Sequence, residues 1–155
     1  MIRDLRTEIG QKQPFRSLEQ EAFLNLIRTA TLLSDHFDRL VKPAGITSAQ
    51  YNVLRILRGA ESEGLCRNEL RDRLLTRMPD VTRLLDRMET AGLVSRTREN
   101  ADRRLVRTRI THHGRQMLDD LEQSVAEEHA RRFGHLEPQE LQALIVLLNQ
   151  VREST

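Results

Sequence analysis

The sequence predicts a mainly α-helical protein with one small β-hairpin. Three observations predict this fold class: apolar residues recur at three- and four-residue steps along most of the 155 residues, glycines and prolines divide the chain into segments of helical length, and the stretch after Gly92 changes to an alternating pattern. A chain of this length can bury the core of one domain. It contains no run near the ~20 apolar residues of a membrane span.

Two capping boxes mark the starts of the first two predicted helices. Ser17 with Gln20 forms the first box, and Thr47 with Gln50 forms the second. In such a box each side chain accepts a hydrogen bond from a backbone N–H that the helix leaves unpaired. Each of these helices is expected to run to the next proline or glycine, and the second is followed by a loop at Ala60–Gly64.

A short helix over about residues 67–75, a tight turn and a further helix are predicted next. Pro79 is expected at the first position of the further helix, where its missing N–H costs nothing, and Gly92 is expected to cap its end. The apolar residues of this helix repeat at i, i+3, i+4 and i+7 and are Val81, Leu84, Leu85 and Met88. One stripe of the helix is therefore buried, and the rest offers threonine and arginine.

The remaining chain predicts a β-hairpin and two helices. Leu93–Arg98 and Leu105–Ile110 are short, alternating segments on either side of a polar tip. Thr111 is expected to cap a long helix to about Phe133, and Pro138 opens a last helix. That last helix is too apolar around its circumference to lie exposed on a monomer.

The positive charge is concentrated in the middle of the chain. The net charge is only +2, but residues 67–109 carry 12 basic and 7 acidic side chains, whereas residues 110–155 carry 4 and 8. Of the 25 basic residues 23 are arginine, whose planar fork suits phosphates and guanine edges. The predicted hairpin alone holds six of them: Arg96, Arg98, Arg103, Arg104, Arg107 and Arg109. This distribution favours double-stranded DNA as the partner.

The order of short helix, tight turn, polar-faced helix and basic hairpin predicts a winged helix-turn-helix. The polar-faced helix fits the major groove, and an arginine on the hairpin can enter the narrow minor groove beside it. The signature motifs of P-loop, zinc-protease and α/β-hydrolase enzymes do not occur in the sequence. We therefore expect a binding protein and not an enzyme.

With these elements in this order, the chain resembles the MarR family of transcriptional regulators. The resemblance covers nearly the whole length and is carried by ITSAQYNVLRIL, NELRDRLL, PDVTRLLDRMETAGLVSR and DRRLVRTRIT. It implies one domain over residues 1–155, with dimerisation helices at 15–42 and 112–155 and a DNA-binding winged region at 46–111. It further implies a homodimeric repressor of a palindromic operator, released by a small, often phenolic, effector or by cysteine oxidation. The lack of a membrane-spanning run makes a cytoplasmic location the expectation.

The resemblance also implies which residues contact DNA. Early recognition-helix residues that approach base edges match Asp80, Thr82 and Arg83. The wing arginine that enters the minor groove matches Arg104, and the acidic residue that orients it matches Asp102. Together with expected phosphate contacts, the candidate residues are Arg77, Asp80, Thr82, Arg83, Arg87, Asp102, Arg103 and Arg104.

The start of the recognition helix departs from the family pattern. Many members have serines there, whereas this chain has TRMP at residues 76–79. Because Met78 cannot cap a helix, Thr76 or Asp80 must supply the cap. For Arg87, an ion pair with a neighbouring carboxylate on the helix surface is an alternative to a phosphate contact.

The first and last helices have surplus apolar faces that predict a twofold dimer. The candidate interface residues, some of which must serve the monomer's own core, are Phe15, Leu18, Phe133, Leu136, Leu141, Leu144, Ile145 and Leu148. The resemblance places an effector pocket between these helices and the winged region. His36, Phe37 and Tyr51 are the candidates near it, although Phe37 and Tyr51 are also expected in the core.

The single cysteine and the histidines give weaker signals. Cys66 near a helix start could have a lowered pKa, but redox-sensing family members carry their cysteine near the N-terminus, so oxidation sensing is not expected. His112 and His113 are adjacent and point apart, and His129 and His135 lack completing ligands, so no metal or cofactor is predicted. The rival function is a winged-helix module that binds protein without DNA, and salt dependence separates the two.

Overall fold

A computed structural model of the protein describes residues 4–60, 62–99 and 105–153. Its helices and strands are α1 Leu5–Glu8, α2 Leu18–Val41, α3 Ser48–Gly59, β1 Leu65–Cys66, α4 Arg67–Arg73, α5 Val81–Thr90, β2 Val94–Arg98, β3 Val106–Ile110, α6 His112–Phe133 and α7 Pro138–Glu153. The strands form one antiparallel sheet in the order β1-β3-β2. The predicted fold class, mainly α with a small β wing, is confirmed.

Side-chain caps start α2 and α3 as the sequence predicts. At α3 the box is complete, with the Gln50 backbone N–H donating to Thr47 Oγ1 at 3.2 Å and the Thr47 backbone N–H donating to Gln50 Oε1 at 2.9 Å. At α2, Ser17 Oγ accepts from the Gln20 backbone N–H at 3.2 Å. Here the Gln20 side chain accepts from Arg16 instead of Ser17, at 2.7 Å.

The start of α5 differs from the prediction by two residues. The first helical residue is Val81 and not Pro79, because the backbone of Asp80, with φ −134° and ψ 75°, is not helical and Asp80 acts as the N-cap. Its Oδ1 accepts from the Arg83 backbone N–H at 2.9 Å. The expected apolar stripe is buried, and Gly92, with φ 71°, follows the C-cap. The ends of α5 are therefore fixed by short-range hydrogen bonds.

The predicted hairpin forms, and a third strand joins it. Val94 lies opposite Ile110 and Arg98 lies opposite Val106, so β2 and β3 pair along their full length. The strand β1, which was not predicted, pairs with the other edge of β3 through Leu65 and Cys66. The short helix α1 was not predicted either. Two and four residues are too few to show a periodic pattern.

The core lies in the winged region, where α3, α4, α5, the sheet and the first part of α6 meet. Its fully buried large side chains include Leu54, Leu57, Leu70, Met88 and Leu118. In contrast, α7 contains no buried residue in its described length. Within the three described stretches, none of the helices combines the length and apolar character that crossing a membrane requires.

Candidate nucleic-acid interface

The polar face of α5 lies on the protein surface. Thr82, Arg83 and Arg87 are exposed, while the apolar stripe of the same helix is buried against the core. Arg83 and Arg87 are four residues apart and therefore share a face. Neither guanidinium has an ion pair or side-chain hydrogen bond with any residue that the structure describes. The alternative for Arg87, a surface ion pair, is not formed with Asp86, Glu89 or any other described residue, so both guanidinium groups are available to a ligand.

Two of the predicted base-reading residues have partners inside the protein. Asp80 uses Oδ1 to cap α5, which confirms the prediction that this carboxylate helps to start the helix. Thr82 Oγ1 accepts a hydrogen bond from Nη1 of Arg67, at the start of α4, at 3.3 Å. Arg67 was not predicted as a site residue, and its exposed side chain adds a positive charge beside α5. Arg77 is exposed in the turn between α4 and α5.

The arginines of the hairpin divide into two groups. Arg107 donates to Glu69 at 3.3 Å and also pairs with Glu99, and Arg109 donates from Nε to the Ser62 carbonyl oxygen at 2.7 Å. These arginines fasten β3 to the loop before β1 and to the start of α4. Of the six hairpin arginines that the sequence analysis singled out, Arg107 and Arg109 therefore bond within the protein.

Arg96 joins β2 to α5 through two carboxylates. Its Nε and Nη2 donate to Glu89 Oε2 at 2.9 and 2.7 Å, and Nη2 also donates to Asp86 Oδ1 at 2.6 Å. The Arg96 backbone N–H donates to Glu89 Oε1 at 3.1 Å. The hydrogen bonds to Glu89 first, and then to Asp86, raise the pKa of the Arg96 guanidinium above its ordinary value. This connection between strand and helix was not predicted.

Among the hairpin arginines that the structure describes, Arg98 is exposed, and its guanidinium has no hydrogen bond or ion pair with a described residue. It lies two residues beyond Arg96 on β2. The predicted wing residues Asp102, Arg103 and Arg104 lie outside the described residues.

A cavity of about 470 Å³ lies behind the turn that precedes α5. Phe37 and Tyr51, both predicted near a pocket, line it, with their rings 5.1 Å apart and edge to face. His36 does not line the cavity, whereas His129 does. Carboxylate side chains do not occur among its described lining residues, which are Ser34, Phe37, Ser48, Ala49, Tyr51, Asn52, Arg55, Leu74, Leu75, Thr76, Met78 and His129.

Comparison with known proteins decides the family. The sequence profile of the MarR family matches residues 44–105. YkoM of Bacillus subtilis, an uncharacterized HTH-type transcriptional regulator, is 31% identical over 140 residues, which cover 88% of this chain and 90% of YkoM. The crystal structure of a MarR transcription factor from Planctomyces limnophilus is 40% identical, with a TM-score of 0.68, and the match covers 88% of this chain and 99% of that one. The chain belongs to the MarR family.

A third similar structure is Sco3205 of Streptomyces coelicolor, a MarR family regulator that was solved in complex with DNA. It is 24% identical to this MarR-family protein, with a TM-score of 0.81, and the match covers 93% of this chain and 92% of that one, so the two share the fold. Membership of the family makes the protein a DNA-binding transcriptional regulator and not an enzyme.

The apolar side chains of α2 and α7 in this MarR-family protein lie largely at the surface. Leu18 is 81% exposed, and Leu144 and Ile145 are also exposed. The other predicted interface residues are half-buried and are Phe15, Phe133, Leu136, Leu141 and Leu148. Phe23 and Leu147, which were not predicted, are exposed as well, at 63% and 58%. Phe23 shares a helical face with Ile27, and that spacing was visible in the sequence.

Cys66 occupies the N-cap of α4 and is half-buried. Its backbone N–H donates to Glu69 Oε2 at 2.8 Å, and this hydrogen bond is the main cause that lowers the pKa of Glu69. Among the residues that the structure describes, no cluster of three or more His, Cys, Asp or Glu side chains has the arrangement of a metal site. Cys66 therefore has a structural position at a helix start.

Proposed function

We propose that this MarR-family protein is a homodimeric repressor that binds a palindromic operator and releases it when a small molecule binds. The observation that carries the DNA-binding mode is the pair of exposed guanidinium groups of Arg83 and Arg87 on one face of α5, neither of which is paired with a residue in the described ranges. We expect Arg83 to make a bidentate contact to guanine O6 and N7. We expect Arg87 and Arg77 to contact phosphates, which position the protein without reading sequence.

The wing completes the proposed interface. Arg98 extends the basic surface along β2, and the resemblance to the family assigns the minor-groove contact to Arg104, supported by Asp102 and Arg103. An arginine favours the narrow minor groove because the negative potential is strongest there. We expect Arg104→Ala to weaken operator binding strongly and to leave the dimer intact.

Dimerisation supplies the second half-site reader. The exposed apolar side chains of α2 and α7 support a self-complementary interface between two copies, since a monomer would leave a large apolar patch in water. In such a dimer the two α5 helices should lie about 34 Å apart, one turn of duplex. A palindromic operator follows from this twofold symmetry.

The cavity beside α3 is the proposed effector site. Its aromatic and aliphatic walls suit an aromatic molecule. Arg55 and His129, with no carboxylate among the described lining residues, suit an acidic or phenolic group on that molecule. Related proteins support such an effector. BpsR of Bordetella bronchiseptica is a protein whose DNA binding is regulated by 6-hydroxynicotinic acid, and a relative from Escherichia coli is named a homoprotocatechuate degradative operon repressor. Because its partner is the chromosome, we place the protein in the cytoplasm.

Selection of bound fragments from genomic DNA tests the proposal. A palindrome should emerge from the selected fragments. Affinity for it, measured by fluorescence anisotropy, should fall roughly a thousandfold or more between about 50 and about 200 mM salt. Arg39→Ala on α2, remote from α5 and the wing, is the control and should bind as the wild type does. No selected sequence, or an affinity nearly independent of salt, would favour the rival protein-binding module.

A further inference from the structure

The helix α5 packs on the sheet through its buried apolar stripe, and a cleft opens beside that contact. It has a volume of about 360 Å³ and is lined by residues of α4, α5, β2 and β3, including Thr82, Leu85, Arg96 and Val106. Where the cleft separates the two elements, specific bonds can add to this packing in setting the angle between the helix and the strand. Arg96 makes such bonds, because its guanidinium reaches from β2 to both Asp86 and Glu89.

We propose that Arg96 is a positioning residue, which sets the distance and angle between the recognition helix and the wing without touching DNA. This inference rests on the proposed reading of DNA by α5 and the wing together. Two elements that enter adjacent grooves must match the spacing of those grooves, and a binding geometry is usually held to within about 0.5 Å by supporting residues. The bonds of Arg96 act at the point where the strand begins to leave the helix.

The geometry favours arginine over any other cation at this position. Three of its four bonds go to Glu89, so the strand is held through both its backbone and its side chain by a single carboxylate. The fourth bond, to Asp86, reaches one turn back along α5. A planar fork fixes direction as well as distance, whereas a lysine ammonium acts as a point charge.

Arg98 provides an internal comparison on the same strand. It lies two residues after Arg96 and so on the same face of β2, but it has no bond to the described part of the chain. The two arginines carry the same charge and differ in partners. If Arg98 contacts phosphate and Arg96 does not, their removal must change the salt dependence of binding differently.

The test measures the affinities of Arg96→Gln, Arg96→Lys and Arg98→Gln for the operator and for random DNA over a range of salt. Arg98→Gln should lower the salt slope by about 1 for each lost phosphate contact and should weaken both DNAs equally. Arg96→Gln should change the slope by less than half as much, yet reduce the ratio of operator to random affinity at least tenfold. Arg96→Lys should show the same loss of ratio, because it keeps the charge and loses the fork.

Four results would overturn the proposal. If the salt slope of Arg96→Gln matches that of Arg98→Gln, Arg96 is a phosphate contact. If the ratio of operator to random-DNA affinity is unchanged in Arg96→Gln, Arg96 does not position the helix and the wing. Full recovery by Arg96→Lys would leave charge as its only contribution. Circular dichroism checks the fold, and Glu89→Gln, which keeps Arg96 in place, should lose the same ratio if the Arg96 variants unfold. If Arg96→Gln, Arg96→Lys and Glu89→Gln all unfold, the bonds of Arg96 contribute to stability alone. If the wild type selects no operator, the proposed function fails instead.

Discussion

Asn52 Oδ1 accepts a hydrogen bond from the backbone N–H of Leu75 at 3.3 Å, so a buried residue of α3 holds the turn that precedes α5. Asn52 is only 8% exposed, whereas the side chain of Leu75 is 79% exposed and does not anchor the turn by packing. Both residues also line the cavity of about 470 Å³. One hydrogen bond therefore connects the proposed effector site with the chain that leads into the recognition helix.

The first prediction concerns this hydrogen bond. Asn52→Leu removes the acceptor and leaves the Leu75 N–H unpaired, which costs about 1–3 kcal/mol when the group is buried. We expect faster amide hydrogen exchange at residue 75 and weaker operator binding. Ser48→Ala, on the same helix and the same cavity wall but without a bond to the turn, should change neither. If amide hydrogen exchange at residue 75 is as slow in Asn52→Leu as in the wild type, the hydrogen bond to Asn52 does not hold the turn.

The second prediction separates base reading from phosphate contact on α5. Arg83→Ala should relax the preference at one base position in each half-site, at a cost of about 1–3 kcal/mol for the preferred base. Arg87→Ala should weaken binding to all sequences alike and lower the salt slope by about 1. Both are measured by binding to a panel of single-base operator variants. Equal losses on all DNA for Arg83→Ala would make Arg83 a phosphate contact.

The third prediction tests the dimer interface. Ile145 is 51% exposed on α7, and glutamate there would place a charge within the proposed apolar contact. Ile145→Glu should shift the protein from dimer to monomer in size-exclusion chromatography with light scattering, and operator affinity should fall because one half-site reader is lost. Gln142→Glu, at an exposed polar position of the same helix, is the matched control. A monomeric wild type would refute the interface itself.

The fourth prediction follows from a buried carboxylate on α6. Glu128 is 6% exposed and accepts from Arg132 at 2.7 Å and Arg131 at 2.9 Å. The Arg132 hydrogen bond first, with the charges of both arginines and of His36, lowers the pKa of Glu128 below its ordinary value of 4.5. A lowered pKa stabilises the folded state above pH 4.5, and this contribution is lost as the pH falls through the folded-state pKa.

Thermal unfolding of Glu128→Gln between neutral and acid pH measures this contribution. At neutral pH the variant should be less stable than the wild type, because Arg131 and Arg132 lose their partner. The difference should shrink as the pH falls below 4.5, the ordinary glutamate value. Glu122→Gln, at an exposed position of the same helix, should follow the wild type throughout. A difference that stays constant with pH would show that the carboxylate is not the cause.

The fifth prediction concerns Gly64, the residue before β1. Its φ is +68°, and a Cβ there would lie 2.5 Å from the Thr108 carbonyl oxygen. Gly64→Ala should therefore destabilise the protein by more than about 1 kcal/mol, through backbone strain and the displaced β3. Gly59→Ala has open space and no positive φ, so it should be neutral or stabilising. Chemical denaturation of both variants measures the difference.

Local signals made most of the fold predictable. The box at Thr47 and Gln50 and the cap at Thr111 involve residues three positions apart, so the sequence contains the whole interaction. The start of α5 was placed two residues early because Pro79 and Asp80 are both good starting residues. Only the backbone conformation of Asp80 decides between them.

Long-range pairing limited the prediction of the site. Arg96 and Arg98 are the same residue type on one strand, but only Arg96 of the two bonds to Glu89 of α5 in the described structure. The tight turn at Gly92 brings Glu89 back beside β2. Asn52 is similar, because its partner Leu75 lies 23 residues later. Residue type and spacing identified where positive charge accumulates, but not which arginines form hydrogen bonds and ion pairs within the protein.

The pairing of β1 with β3 has a mechanical consequence. Because β1 runs directly into α4 at Arg67, and Arg96 fastens β2 to α5, the wing and both helices of the reading head are connected at every junction. We expect them to tilt together as one rigid body. The first part of α6 packs in the same core, so in the proposed dimer we expect a change of half-site spacing to be accommodated at the 3₁₀ turn Lys42–Ala44 and where α6 leaves the winged region.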